Sequence, residues 1–475
     1  MAGRRRAAFL LLLASTSCGW GSAVEPGVLP ERFDNVVLIS IDSLRADHLG
    51  IYGYEAPTSP FLDHLGRTGL VFERAYSTTS WTLPSHTAML TGLDDLTHGV
   101  TDHTRRVPSQ LTTLPERLSA SGIETVGFFS GPYLHPSFGI AQGFDRYVNC
   151  SSSLPRDRDG VSVKQHFESM RDVTNPIVLE SVAAWLREPR AQRTFLFIHL
   201  WDVHYDYIPP DATLELFDAD YTGSISAEKF ESNDAIHAGM DARDLEHIIA
   251  RYDAEIRATD DTIRQLMAAL EDAGLLQNAA ILVVSDHGEE FFEHGGKGHH
   301  TTLYEEVLHV PLILNVPGRR PVEGRVGQVV SLVDLYPTVC ALFGIPCPGE
   351  GPGESLLPLF RGSTGRRGDA LAHLSIPGLG ISENALVSLE GKVIRVTSPI
   401  SQTEFFGPET LHSERDGVAA AATGDASSRR IIGRLEHRVS AAMAARGRLM
   451  DAEAQETGAP DRAVEQQLRS LGYLK

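Results

Sequence analysis

Cysteine is scarce in this 475-residue chain, with four in all. Beyond Cys18 only Cys150, Cys340 and Cys347 remain, too few for a disulfide scaffold and spaced unlike a zinc ribbon. Cys340 and Cys347 are near enough to pair across Gly344-Ile345-Pro346 in an oxidising compartment. Positive charge is scarce too: 42 Lys+Arg stand against 62 Asp+Glu, a net charge of −20. That excludes a partner gripped by a basic footprint, nucleic acid above all. With 42% hydrophobic and 22% charged residues, the composition is globular and excludes disorder, collagen, a coiled coil and a polytopic membrane protein. The apolar segment 7–14 falls far short of the roughly 20 residues of a membrane span.

What that segment does resemble is an export signal, because Arg4, Arg5 and Arg6 precede it. Cleavage at Gly21-Ser22-Ala23 and lipid attachment at Cys18 both fit. The expected location is therefore the bacterial periplasm, free or anchored to the envelope, with a lipidated Cys18 as the only membrane attachment. The expected organisation is a signal over 1–23, an α/β domain over 34–361 and a C-terminal subdomain over 362–475.

From Asp34 onward, short apolar runs at 36–41, 125–129, 195–200, 281–284 and 310–316 alternate with helical stretches. The runs are continuous rather than alternating, as in strands buried on both faces of a mainly parallel sheet. Residues 111–120 and 241–273 carry helical periodicity; in the latter Leu245, Ile248, Ile249, Tyr252, Ile256, Ile263, Leu266 and Leu270 share a face. This predicts a doubly wound α/β fold whose mainly parallel sheet is flanked by helices. After Leu359 the composition turns to Gly, Ser and Arg, with strand-like pieces at 385–389 and 392–397 and a polar helical end. A small C-terminal α+β subdomain, a few antiparallel strands and a helix, is expected.

Chemistry enters where polar residues end the apolar runs. One run leads into Asp42 and another into Ser285-Asp286-His287-Gly288. Parallel sheets bind ligands at the carboxyl ends of their strands, so Asp42, Asp286 and His287 are candidate ligands of one divalent cation, calcium, manganese or zinc. Either Asp alone also fits a turn or a helix cap. In Ser80-Trp81-Thr82-Leu83-Pro84-Ser85-His86, Pro84 suits the first turn of a helix and Gly92 its end. Thr82 then lies at a helix N-terminus, which favours an anion or a developing alkoxide; a plain N-cap is the competing reading.

Together these segments resemble the sulfatase family of the alkaline phosphatase superfamily. The resemblance rests on the stretch from Asn35 through Asp42-Ser43-Leu44-Arg45-Ala46-Asp47-His48-Leu49-Gly50, on Thr82 to Gly92, on Ser285-Asp286-His287-Gly288-Glu289 and on Leu303-Tyr304-Glu305-Glu306. Ser331-Leu332-Val333-Asp334-Leu335-Tyr336-Pro337-Thr338 and the closing Leu468 to Leu474 are similar as well. It implies a metal-dependent ester hydrolase, calcium being the family's usual ion. Asp42, Asp286 and His287 stand where the family's metal ligands stand, and Thr82 stands at its nucleophile. His204, within Trp201-Asp202-Val203-His204, matches a His near the leaving group. His300, five residues before Glu305, falls where sulfatases carry a Lys that holds the ester's oxygens.

The chain departs from the family pattern in five ways, two of them His287 where an Asn is usual and the absence of a Lys-x-His pair about Phe128-Phe129-Ser130-Gly131. Thr82 cannot become the formylglycine that sulfatases make from Cys or Ser. The signature's Arg is His86, and the second Asp of the N-terminal pair is Ser43, so one metal ligand is missing. Direct attack by a metal-activated Thr82 alkoxide on a sulfuric or phosphoric ester is the expected route. His300 and His86 would offset charge on the equatorial oxygens, and His204 would protonate the leaving group. A second metal at Asp202, His204 and His299 or His300 is the less favoured arrangement. The expected partner is a small anionic ester, since an acidic surface repels highly charged polymers. Two other readings stay open, an envelope phosphoryl-group transferase and a catalytically silent relative that binds anions.

Overall fold

The computed structural model describes residues 25–26, 32–151, 174–321, 324–347, 351–365, 368–398, 401–408, 414, 426–449 and 462–470. The expected export signal and Cys18 lie outside them. Among the described residues no helix is long and apolar enough to cross a membrane.

The main sheet has nine strands: β1 Asn35–Ile41, β2 Leu70–Tyr76, β3 Glu124–Phe129, β4 Arg146–Asn149, β5 Thr194–Leu200, β6 Ala279–Ser285, β7 His309–Val310, β8 Leu312–Asn315 and β9 Arg325–Ser331. Their order is β7-β2-β8-β6-β1-β5-β3-β4, with β9 beside β2. β1 is parallel to both neighbours, β3 is parallel to β4 and β5, and β9 is parallel to β2. Only β8 and the short β7 run antiparallel to their partners. The sheet is mainly parallel, as the continuous apolar runs predict. The expected strand over 310–316 is split at Pro311, which has no N–H for the ladder. β2 escaped notice because Glu73 and Arg74 interrupt its apolar run; both are half-buried.

Side chains along a strand alternate between faces, and the two cores follow that alternation. Val36 and Leu38 join Phe195, Phe197, Leu282 and Val284 in one core. Val37, Ile39 and Ile41 join Leu196, Ile198, Leu200, Ile281 and Val283 in the other. The helices are α1 Pro60–Thr68, α2 Thr82–Thr91, α3 Asn175–Leu186, α4 Ala242–Asp272 and α5 Leu335–Leu342. α2 and α5 cover the first core, through Leu83, Met89, Leu90, Val339 and Leu342. α1, α3 and α4 cover the second, α4 through Ile248, Tyr252, Ile256, Ile263, Leu266 and Leu270. Those α4 residues are six of the eight expected to share a face; Leu245 and Ile249 pack at its margin. Each such side chain, fully buried, stabilises by about 1.5–3 kcal/mol.

Four strands, β10 Asp369–Ile376, β11 Ile381–Ser388, β12 Gly391–Ser398 and β13 Gln402–Phe406, form a separate antiparallel sheet in sequential order. Helix α6, Ala426–Leu449, packs Ile431 and Leu435 against Leu371, Leu386 and Val393. This sheet meets the main domain close to α2. The His373 N–H donates to Thr78 O at 2.8 Å, and the buried Lys392 sits between Glu305 and Glu414 at 3.4 and 3.1 Å.

The entry to α3 depends on a carboxylate from the far end of β5. Asp202 accepts from Thr174 N, Thr174 Oγ1 and Asn175 N at 2.7, 2.6 and 2.8 Å. Removing it leaves buried donors without partners. Asp202→Ala is expected to lower the free energy of unfolding by about 2 kcal/mol or more, read from urea denaturation; an unchanged midpoint would show that water replaces the carboxylate.

Candidate active site

Register brings the site together. Ile41 pairs with Leu200 on one side and with Ser285 on the other, so Asp42 and Asp286 leave adjacent strands at one level of the carboxyl edge. Asp42, Asp286 and His287 form a group whose donor atoms all lie within 4.8 Å of one another, and all three are fully buried. Ser43, with a left-handed backbone (φ 54°), joins the carboxylates. Its hydroxyl donates to Asp42 Oδ1 at 2.9 Å and its N–H to Asp286 Oδ1 at 3.2 Å. The His287 N–H also donates to Asp286 Oδ1, at 2.9 Å.

Asp286 Oδ2 is left buried with no hydrogen-bond partner, facing His287 Nε2 at 3.5 Å and His86 Nδ1 at 3.6 Å. Among the described residues no Lys or Arg pairs with either carboxylate. Burial, then the neighbouring charge of Asp42, pushes the Asp286 carboxyl above its ordinary range. His287 Nδ1 donates to Gly288 O at 2.9 Å, which leaves Nε2 as the ring atom turned toward the carboxylates. Two buried carboxylates and an imidazole lone pair converging with an orphaned oxygen fit a divalent cation.

Thr82 opens α2, and Trp81 before it makes no side-chain cap. The Thr82 hydroxyl turns away from the helix: Oγ1 lies 3.5 Å from Asp42 Oδ2 and 3.4 Å from His287 Nε2. Gly92, at φ 70°, ends the helix, as the sequence predicts.

His86 lies one turn further along. Its Nδ1 donates to Thr82 O at 2.9 Å, and its Nε2 accepts from Ser40 Oγ at 3.0 Å. Burial pushes it down to about 4, so the ring is neutral with both nitrogens occupied. This geometry corrects the expectation that His86 offsets charge on a bound anion; it braces the backbone beneath Thr82.

His204 stacks on Trp201 at 3.9 Å, and its Nδ1 donates to Tyr205 O at 2.6 Å. Burial pushes it down to about 4. In that neutral tautomer Nε2 carries no proton, so the ring suits a proton acceptor better than the expected acid. His300 has φ 72°, donates its N–H to Ser80 O at 2.9 Å and lies against Trp81 at 4.5 Å. Burial, then His103, pushes His300 down to about 3, so its ring is neutral near pH 7.

One expected contributor, Asp202, is engaged elsewhere. Asp202 holds α3, which removes a ligand of the second metal arrangement. Lys297 Nζ donates to Asn233 O and Ile236 O at 3.1 and 2.8 Å. Residues 289–298 are tied by that lysine and by Arg45–Glu293 at 2.7 Å.

Sequence reasoning missed His199 and undervalued His299. His199 is a polar residue within the apolar run of β5, on the same parity that in β1 carries Ser40 and Asp42, and that was its one signal. His299 Nδ1 pairs with Glu289 Oε1 at 2.9 Å, Tyr207 OH donates to Glu289 Oε2 at 3.0 Å, and the His299 ring lies 4.4 Å from that of His287.

A family model described as "Sulfatase" matches residues 34–345. Arylsulfatase K of Canis lupus familiaris is 25% identical over 358 residues, covering 68% of this chain and 66% of that protein. The chain thus spans just under two thirds of that relative's length. The phosphonate monoester hydrolase of Agrobacterium radiobacter superposes with a TM-score of 0.68 at 19% identity, over 88% of this chain and 96% of that one. A protein solved in complex with its substrate D-glucosamine-2-N,6-O-disulfate superposes with a TM-score of 0.70 at 17% identity, over 90% of this chain and 100% of that one. At those identities the two structures speak for the fold.

His86, His199 and His204 are each pushed to about 4 by burial, against an ordinary value near 6.5 in the unfolded chain. Between those values the unfolded state takes up protons that the folded state refuses. Thermal melting of chelator-treated protein is therefore expected to show stability unchanged above about pH 7 and falling as pH drops from about 6.5 toward 4. A flat profile across that window would mean that these rings protonate without loss of fold.

Proposed function

The chain belongs to the sulfatase family, and from that premise we propose that it hydrolyses a sulfuric or phosphoric ester with the Thr82 hydroxyl as nucleophile. The observation that carries this is the Thr82 hydroxyl itself, buried at the start of α2 and directed at Asp42 and His287 rather than at its own helix. A divalent ion held by Asp42, Asp286 and His287 would supply Lewis acidity, polarising an ester oxygen and making the hydroxyl easier to ionise.

The chain's own groups then divide the work. Thr82 gives its proton to solvent water as it attacks, the bond to the leaving oxygen breaks, and the departing alkoxide takes a proton from solvent. The free N–H groups at the start of α2 meet the charge on the equatorial oxygens, and His300 adds a neutral donor. His204 Nε2 accepts a proton from the water that releases the covalent Thr82 ester and returns it to solvent, while the released Thr82 oxygen takes a proton from solvent. His86 holds the carbonyl of Thr82 and fixes the direction of attack.

Threonine is a secondary alcohol and cannot yield an aldehyde, so attack by the alkoxide replaces the formylglycine route; this favours phosphoric over sulfuric esters. The net charge of −20 favours a small ester over a charged polymer, the class to which one structural neighbour's disulfated sugar belongs. Arg4, Arg5 and Arg6 before the apolar segment 7–14 support export to the periplasm or, through Cys18, to the envelope.

Aryl sulfate, phosphate monoester, phosphate diester and phosphonate monoester should be assayed side by side. At least one phosphorus ester is expected to turn over, Thr82→Ala to lose about 10³-fold or more in kcat, and Thr82→Ser to retain measurable activity. Full turnover by folded Thr82→Ala, or turnover of sulfate alone, would refute the nucleophile assignment.

A further inference from the structure

We propose that His199 is a fourth protein ligand of the divalent ion, and that the resulting set of two carboxylates and two imidazoles selects a first-row transition ion such as zinc or manganese over calcium. The inference rests on the metal reading above and sharpens it.

His199 is fully buried near the end of β5. Its orientation is fixed from behind by a reciprocal pair: Nδ1 donates to Ser130 O at 3.0 Å, and Ser130 Oγ donates to His199 O at 3.1 Å. A carbonyl only accepts, so Nδ1 carries the proton and Nε2 presents a lone pair. That Nε2 has no hydrogen-bond partner and lies 3.3 Å from Asp42 Oδ2. A lone pair and a carboxylate oxygen that close, in a dry interior, repel unless a cation lies against both.

The surroundings point the same way. Asp42 carries His199 Nε2 beside Oδ2 and His287 Nε2 beside Oδ1, the latter at 3.6 Å. His86, His199 and Asp286 form a second group with donor atoms within 4.8 Å of one another. Within it both His86 nitrogens are engaged, which leaves His199 Nε2 and the orphaned Asp286 Oδ2 as the open donors. Ser43 has no carboxylate to offer, and its hydroxyl is occupied by Asp42. His199 supplies from β5 the donor that Ser43 lacks. The bond from Nδ1 to Ser130 O is the kind of support that holds a ligating imidazole in its tautomer. Imidazole nitrogens suit zinc and its neighbours, whereas calcium prefers six to eight oxygens.

The test uses the full chain, stripped of metal and offered equimolar Zn2+, Mn2+ and Ca2+. Elemental analysis is expected to find about one first-row ion per chain and little calcium. Electron spin echo envelope modulation of the Mn2+ form should show two coordinated imidazole nitrogens in the unaltered protein. His199→Gln should show one, with Mn2+ bound at least ~100-fold more weakly; a circular dichroism melt checks that it folds. Wild-type protein that binds an ion with one imidazole nitrogen, a His199→Gln variant with unchanged affinity, or calcium retained in preference would overturn the role of His199 while the metal reading stands. Folded wild-type protein that binds no divalent ion would remove the metal reading itself. The nitrogen count in the unaltered protein decides the matter even if the variant fails to fold.

Discussion

Two carboxylates buried side by side govern this molecule. Asp42 and Asp286 end neighbouring parallel strands, fully buried, and no Lys or Arg among the described residues pairs with them. Two unit charges about 4 Å apart at an effective dielectric near 20 repel by roughly 4 kcal/mol. The fold tolerates this by pinning one oxygen of each with donors from Ser43 and His287. The remaining oxygens face imidazole lone pairs. Such an arrangement favours positive charge between the carboxylates.

Those neighbours share one device. His86, His199, His204 and His287 each donate Nδ1–H to a backbone carbonyl. The carbonyls belong to Thr82, Ser130, Tyr205 and Gly288, in segments that follow strands or open a helix, so each ring's tautomer is set by the course of the chain. Burial keeps His86, His199 and His204 neutral near pH 7. The site therefore presents neutral imidazoles and a helix N-terminus rather than fixed basic side chains. That is consistent with a chain so poor in Lys and Arg.

The periodicities that announced the fold were those of buried elements. The α4 face and the runs of β1, β5 and β6 stood out because both sides of those strands are covered. β2 was hidden by Glu73 and Arg74, and Pro311 divided what looked like one strand. At the site, Asp42, Thr82, Asp286 and His287 were legible because each interrupts or follows an apolar run at a place where parallel sheets bind ligands. The structure brings these four together. His86, His204 and His300 were legible as candidates and not as roles, because an imidazole's role depends on which nitrogen carries the proton. Asp202 entered only as a candidate for the less favoured second metal and serves instead as the N-terminal partner of α3.

By itself the sequence determined what is local or periodic: the α/β class, the long amphipathic α4, the start and end of α2, and the family to which the motifs belong. Tertiary structure decided what depends on register and direction. The seven-residue pairing of β1 with both β5 and β6 sets Asp42 level with Asp286. Strand parity turns Ser40 and His199 toward α2, and a carbonyl distant in sequence, that of Ser130, sets the tautomer of His199, while those of His86, His204 and His287 are set by carbonyls one to four residues away. A sequence states which donors exist; only the packed backbone states which lone pair of which ring faces which oxygen.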